Sequence, residues 1–160
     1  MPDLYTFVQG FKSVILATID SEGKPFSSYA PFVLYEKKYY IFISDIARHS
    51  ANLKKTPQAA LFFIEDESQC DNIFARKRVV LQCSGRVLKR ESVPFDDVMT
   101  AFKARFDPDM LDMLLRMKDF NLFELSPTEG EAVFGFGQAY DIVGESTDTL
   151  QLRSGGGHTK

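Results

Sequence analysis

Residues 13–44 read SVILATIDSEGKPFSSYAPFVLYEKKYYIFIS, and this stretch decides the fold. Ser13–Ile19 is apolar and rich in β-branched residues, the composition of a half-buried strand. Asp20-Ser21-Glu22-Gly23 is turn chemistry, with Gly23 free to take positive φ. Pro25–Tyr35 resumes as strand, its two prolines predicting an edge or a bulge near Pro31. Glu36-Lys37-Lys38 is a second short turn, and Tyr39–Ser44 a third strand. Loops this short leave no room for crossover helices, so the three strands form an antiparallel meander.

Working outward, Ser44 or Asp45 is placed to cap a helix that runs to about Lys55 and stops at Thr56-Pro57. Gln58–Ile64 reads as a buried strand. Phe74–Leu88 reads as a long one with a kink at Gly85. Ser92 and Pro94 open a helix whose apolar face is Phe95, Val98, Met99, Phe102 and Phe106, and a second helix follows Asp107-Pro108 through Met117. Asn121–Leu125, Ala132–Phe136 and Gln138–Val143 return to strand. The prediction is a mainly β (α+β) protein of six or seven antiparallel strands with peripheral helices, closed as a split β-barrel of Greek-key type. With no internal repeat and no long linker, residues 1–144 are expected to form the barrel domain and 145–160 a flexible C-terminal tail.

Bulk properties exclude several classes. A net charge of −3 and a pI near 5.4 argue against general nucleic-acid binding. No apolar run approaches a membrane span, and the N-terminus lacks signal-peptide character. Cys70 and Cys83 form no CxxC pair and fit a reducing, cytoplasmic setting. The chain has 15 Phe, 6 Tyr and no Trp, a bias that serves core filling and would equally suit a flat ligand. HExxH, Walker and GxSxG motifs are absent, and two histidines, His49 and His158, cannot build a multi-histidine metal site in one chain.

Three constellations and the tail remain as sites. In Ser44–Leu53 a strand enters a helix N-terminus with Arg48 and Asn52 four apart, suited to an anion or to a plain capped surface helix. Arg76-Lys77-Arg78 would alternate along a strand, placing Arg76 and Arg78 together to clamp carboxylates, or merely solvating an edge. Phe134-Gly135-Phe136-Gly137-Gln138-Ala139-Tyr140 permits close approach of a backbone or a flat ligand, or marks a barrel bend. The chain ends Gly155-Gly156-Gly157-His158-Thr159-Lys160, an arm that can deliver one imidazole to a haem iron or be simple terminal disorder.

The order of these motifs resembles the haem-utilisation (HutZ/HugZ-type) branch of the pyridoxamine-phosphate-oxidase-like split-barrel superfamily. The resemblance rests on Leu16-Ala17-Thr18-Ile19-Asp20 with Gly23-Lys24-Pro25, Ser28-Tyr29-Ala30-Pro31-Phe32, Ser44–Leu53, Phe74–Arg78, Gly135–Tyr140 and Gly157-His158, nearly the whole chain. It implies a homodimer with haem at or near the subunit interface and His158 as axial ligand. It also implies haem-iron use, with O₂-dependent haem cleavage fed by an external electron donor. Arg48-His49-Ser50-Ala51-Asn52 falls where flavin-binding relatives hold the FMN phosphate, so FMN is the alternative cofactor. An axial histidine donates its second N–H to a partner, for which Asp119, from either subunit, is the candidate and Asp141 the next. Arg76 and Arg78 are candidates for the haem propionates, and Thr18 for the distal side. Haem storage or delivery without turnover, and an FMN-dependent oxidoreductase, are the competing functions.

Overall fold

The computed structural model describes residues 2–144 and 147–153. The opening meander forms as expected: β1 (Ser13–Ile19), β2 (Pro25–Tyr35) and β3 (Lys38–Ser44) pair antiparallel. β1 alternates strictly, with Val14, Leu16 and Thr18 inward and Ile15, Ala17 and Ile19 outward. β2 changes partner at Pro31. Residues 25–31 pair with β1 and residues 32–35 with β3, so the proline sits where the ladder switches and its missing N–H costs little.

α2 (Arg48–Lys55) leads into β4 (Gln58–Ile64), which pairs with β1 and with β5 (Arg78–Leu88). β6 (Phe120–Val133) pairs with β5 along its length. The first half of β6 also pairs with β3, from Ser44↔Phe120 to Tyr39↔Leu125, closing a six-stranded barrel in the order β3-β2-β1-β4-β5-β6. The second half of β6 carries two further strands, β7 (Ala139–Val143) and β8 (Thr149–Leu152). β6 is thus shared between the barrel and an outlying hairpin, which is the split.

Two cores result. The barrel interior is filled by Leu16, Phe32, Ile41, Leu61, Phe63, Leu81, Phe123 and Leu125, with Tyr39 against Phe32 and Phe63. The second core lies outside the barrel wall, where Val33, Tyr40, Phe42 and Leu122 meet α3 (Val93–Arg105) and α4 (Pro108–Arg116) through Phe95, Val98, Met99, Phe102 and Leu111. Ser92 caps α3, its hydroxyl accepting from the Phe95 amide at 3.3 Å, as the Ser-x-Pro pattern predicts. No helix among the described residues is long and apolar enough to cross a membrane.

Four expectations need correction, and two elements are additional. β6 runs unbroken where two strands were expected, because a bulge opposite Gln82 and Cys83 absorbs Pro127 and Thr128. The expected strand 132–136 ends at Val133, and Gly135–Gln138 is a hairpin turn. α2 begins at Arg48 with Ala47 at its N-cap, while Ser44 and Asp45 bond elsewhere. β5 begins at Arg78, so Arg76 lies before the strand. A short helix α1 (Leu4–Gln9), capped by Asp3, and β8, inside the stretch expected as tail, went unanticipated.

Candidate functional site

The second and third sequence constellations meet at one end of the β5–β6–β7 sheet. Arg78 pairs with Val133 across β5 and β6, and the β6–β7 turn lies beside it. Phe74, Ala75 and Arg78 on one side and Val133 with Gly135–Ala139 on the other enclose an open groove of about 490 Å³. The turn is tight: the Phe134 amide donates to the Gln138 carbonyl at 3.0 Å and the Gln138 amide to the Gly135 carbonyl at 3.1 Å. Gly135 (φ 138°) and Gly137 (φ 70°) occupy backbone conformations closed to most L-residues, which is why glycines alternate here. The turn sends Phe134 into the core, edge-on to Phe7 and Tyr140, and Phe136 out to solvent.

Exposure singles out this groove. Thirteen of the fifteen phenylalanines are buried or half-buried; the exceptions are Phe74, 86% exposed, and Phe136, 69% exposed, and both line it. Arg78 is half-buried between them and donates one N–H to the Arg76 carbonyl at 2.9 Å, its one side-chain hydrogen bond among the described residues. Arg76 does not join it. Its Nε and Nη2 donate to the Glu65 carbonyl at 3.1 and 2.6 Å, tying down the preceding turn, so the expected arginine pair reduces to Arg78 alone.

The C-terminal strand ends at the same groove. The Arg153 amide donates to the carbonyl of Ala139, a groove residue, at 2.8 Å. His158 and its glycines lie outside the described residues.

The first constellation is built differently from its expectation. Asn52 is buried and its side-chain amide donates to the Thr18 hydroxyl at 3.0 Å, bolting α2 to β1. Thr18, expected on a distal side, is 2% exposed and serves as the acceptor in this bolt. His49 is buried, with Nδ1 2.9 Å from the Ser28 hydroxyl, and burial lowers its pKa so that the ring stays neutral. Arg48 stacks over Phe26 at 5.4 Å and lines a shallow cavity of about 440 Å³ shared with Lys55, Asp20 and Glu22. His49 therefore turns inward, while Asn52, bonded to Thr18, lines the cavity together with Arg48 and Lys55 and with Asp20 and Glu22.

Asp119 accepts from the Ser44 hydroxyl at 2.5 Å, and its carbonyl accepts from the Asp45 amide at 2.8 Å. It sits at the start of β6, while the groove lies at the other end of that strand, so one chain does not bring Asp119 to Arg78. Asp141 pairs with Arg153. Among the described residues no group of three or more His, Cys, Asp or Glu side chains could hold a metal ion.

Two features escaped the sequence. Buried Glu124 gathers the Tyr40 hydroxyl at 2.9 Å, Arg86 Nε at 2.7 Å and Lys38 at 3.5 Å on the helix side of the barrel. The opposite, outward face carries a row of apolar side chains in register across four strands: Tyr29, Ile15, Phe62 and Val80. Tyr29 and Ile15 are exposed, the pattern of a sheet face that takes a partner.

Residues 2–134 match the family model for pyridoxamine 5′-phosphate oxidase. The chain is 39% identical over 155 residues to the heme oxygenase HutZ of Vibrio cholerae, covering 96% of this chain and 88% of that one. A crystal structure of HutZ from the same organism, there called a heme storage protein, superposes with a TM-score of 0.77 at 37% identity, over 83% of this chain and 94% of that one. Campylobacter jejuni ChuZ superposes with a TM-score of 0.86 at 33% identity, over 98% of this chain and 64% of that one. With the closed six-stranded barrel and this extent of identity, the chain belongs to the pyridoxamine 5′-phosphate oxidase split-barrel family, in its HutZ-like branch.

Proposed function

We propose that this protein binds haem for use of its iron, with the β6–β7 groove as the haem-facing surface and His158 as the axial ligand. The observation that carries the reading is the convergence of Phe74, Phe136, Arg78 and the end of β8 on one groove. Two aromatic faces suit a flat macrocycle, and a half-buried guanidinium suits a propionate. Four residues separate Arg153 from His158, five Cα–Cα steps with a reach of at most about 17 Å at full extension. An arm of that length starting beside Ala139 delivers its imidazole to a ligand lying in the groove.

Haem, as the substrate, supplies the iron and the macrocycle that is oxidised. The chain's own residues bind and orient it. Arg78 holds a propionate, Phe74 and Phe136 limit tilt, and His158 fixes the iron side. Arg76 contributes by holding the turn that presents Phe74. If Asp119 accepts the second N–H of the imidazole, it comes from a second copy of the chain, and the apolar row Tyr29–Ile15–Phe62–Val80 is the surface on which that copy would dock as a homodimer. Oxidative cleavage then needs O₂ and an external electron donor. Storage needs neither, and the names borne by the V. cholerae relatives divide between these two roles.

Haemin titration of the wild type and His158→Ala, followed by visible absorption, tests the reading. A sharp Soret band near one haem per chain, shifted or lost in the variant, is expected. Identical spectra in the two proteins refute ligation by His158. Adding ascorbate under air to the loaded protein separates the roles: loss of the Soret band with a bilin-like product means cleavage, and a stable band means storage.

A further inference from the structure

α4 sorts its apolar residues by chemistry. Leu111 is buried and Leu114 and Leu115 pack half-buried against the second core, whereas Met110 is 48% exposed, Met113 38% and Met117, the residue after the helix, 42%. Met110 and Met113 are three apart and Met113 and Met117 four apart, the spacing that lines side chains up in one row along a helix. Leucine and methionine have nearly the same volume, so packing alone does not demand this division. What the outer row has and the inner face lacks is thioether sulfur.

The helix is fastened without that row. Lys103 of α3 reaches Asp112 at 2.8 Å. Arg90 donates to the carbonyls of Leu115, Met117 and Phe120 at 2.8, 3.0 and 3.1 Å, so Met117 is held through its backbone. The remaining methionine among the described residues, Met99, is buried in the second core. Of the two thiols, Cys83 is buried, which pushes its pKa up to about 12 and keeps it protonated and unreactive, while Cys70 is half-buried and donates to the Glu67 carbonyl at 3.1 Å.

We propose that Met110, Met113 and Met117 are a modification site, a row of thioethers that hydrogen peroxide oxidises first and that thereby spares Met99. Each sulfur takes one oxygen: the sulfur lone pair attacks peroxide, the O–O bond breaks, and the second oxygen leaves as water. The sulfur is oxidised by two electrons and the peroxide reduced by two. A sulfoxide in the outer row faces water and unfastens nothing. At Met99 it would bury an unpartnered oxygen in the second core. Sulfoxide reductases return the thioether with electrons from a dithiol, so the row can be used again. The site stands independently of the haem reading.

The test uses full-length protein carrying Cys70→Ser, which removes the competing thiol, and hydrogen peroxide at one equivalent per methionine of the row. Peptide mass spectrometry should show one added oxygen at each of Met110, Met113 and Met117, forming about tenfold or more faster than at Met99. Tm should move by about 2 °C or less, as for a surface change. In Met110→Leu/Met113→Leu/Met117→Leu, which conserves volume, the same dose should leave several-fold more sulfoxide at Met99. Met99 reacting as fast as the row would overturn the proposal without recourse to any variant of α4. So would a Tm loss several times larger than expected once the row alone is oxidised, or unchanged oxidation of Met99 in the triple variant.

Discussion

The Asn52 side-chain amide donates to the Thr18 hydroxyl at 3.0 Å, and both residues are buried where α2 crosses β1. A buried donor that loses its partner retains its desolvation cost, about 1–3 kcal/mol. Thr18→Val and Asn52→Leu should each destabilise by that amount, and each kilocalorie lowers Tm by about 2–4 °C at this chain length. The double variant Thr18→Val/Asn52→Leu, which removes both polar groups, should cost clearly less than the sum of the single changes. Additive losses in thermal melts would show that the two groups do not depend on each other.

The alternation of Val14, Leu16 and Thr18 against Ile15, Ala17 and Ile19 made β1 legible, and the brevity of its turns made the meander legible with it. The helix signals at Ser92-Val93-Pro94 were equally local and held. What failed was non-local. Pro127-Thr128-Glu129-Gly130 has turn composition, yet β5 pairs with the chain on both sides of it and carries β6 through on a bulge. Local pattern cannot weigh that pairing. Arg76 and Arg78 were expected on one strand face by period-two counting, which fails because β5 starts only at Arg78. Phe134 and Phe136 have the same spacing and opposite fates, decided by the positive φ of Gly135 and Gly137. β8 has no strong strand signal of its own, and what fastens it is Arg153, Lys37 and Thr147, contacts that no window on Thr149–Leu152 contains.

Gly130 has no room for a side chain. A Cβ there would lie 2.6 Å from the Val80 carbonyl oxygen and 2.8 Å from Leu81 Cδ2. The leucine can yield, but the carbonyl belongs to the β5 backbone. Gly130→Ala should destabilise by about 1–3 kcal/mol through overpacking. Its effect should concentrate on β7, because Ile142 opposes Gly130 in the ladder. Amide exchange across Ala139–Val143 should rise more than in β1. Uniform protection in G130A would contradict this.

Two buried ionisable groups contribute to the acid behaviour, beside Asp3, Asp45, Asp66 and Asp112, whose carboxyls hydrogen bonds hold below the ordinary range. Burial depresses the pKa of His49 below the ordinary 6.5, so the unfolded chain binds a proton that the folded chain refuses. Stability is therefore flat above about pH 6.5 and falls as pH drops from there toward the folded value. For Glu124, burial alone would raise the pKa, but the bonds from Arg86 and Tyr40 and the charge of Lys38 outweigh it and bring it below 4.5. Its contribution is present above about pH 4.5 and is lost as pH falls through the folded value. Urea midpoints measured across this range should show a first decline that His49→Gln removes and a second, more acidic one that Glu124→Gln reduces. A first decline that survives in H49Q would assign it to another group.

Arg78 is the cation of the groove, and Arg76 is not, because the Arg76 fork is committed to the Glu65 carbonyl. A charge-assisted hydrogen bond contributes about 1.5–3 kcal/mol, or roughly 10- to 100-fold in affinity. Arg78→Ala should therefore weaken haemin binding by about that factor. Arg78→Lys should fall between, since it keeps the charge and loses the fork. Phe136→Ala should weaken binding several-fold with no change in Tm, because the ring is exposed and supports nothing else in the fold. Phe74→Ala should behave likewise. Haemin affinities in R78A, F74A and F136A equal to wild type would place the ligand elsewhere on the barrel.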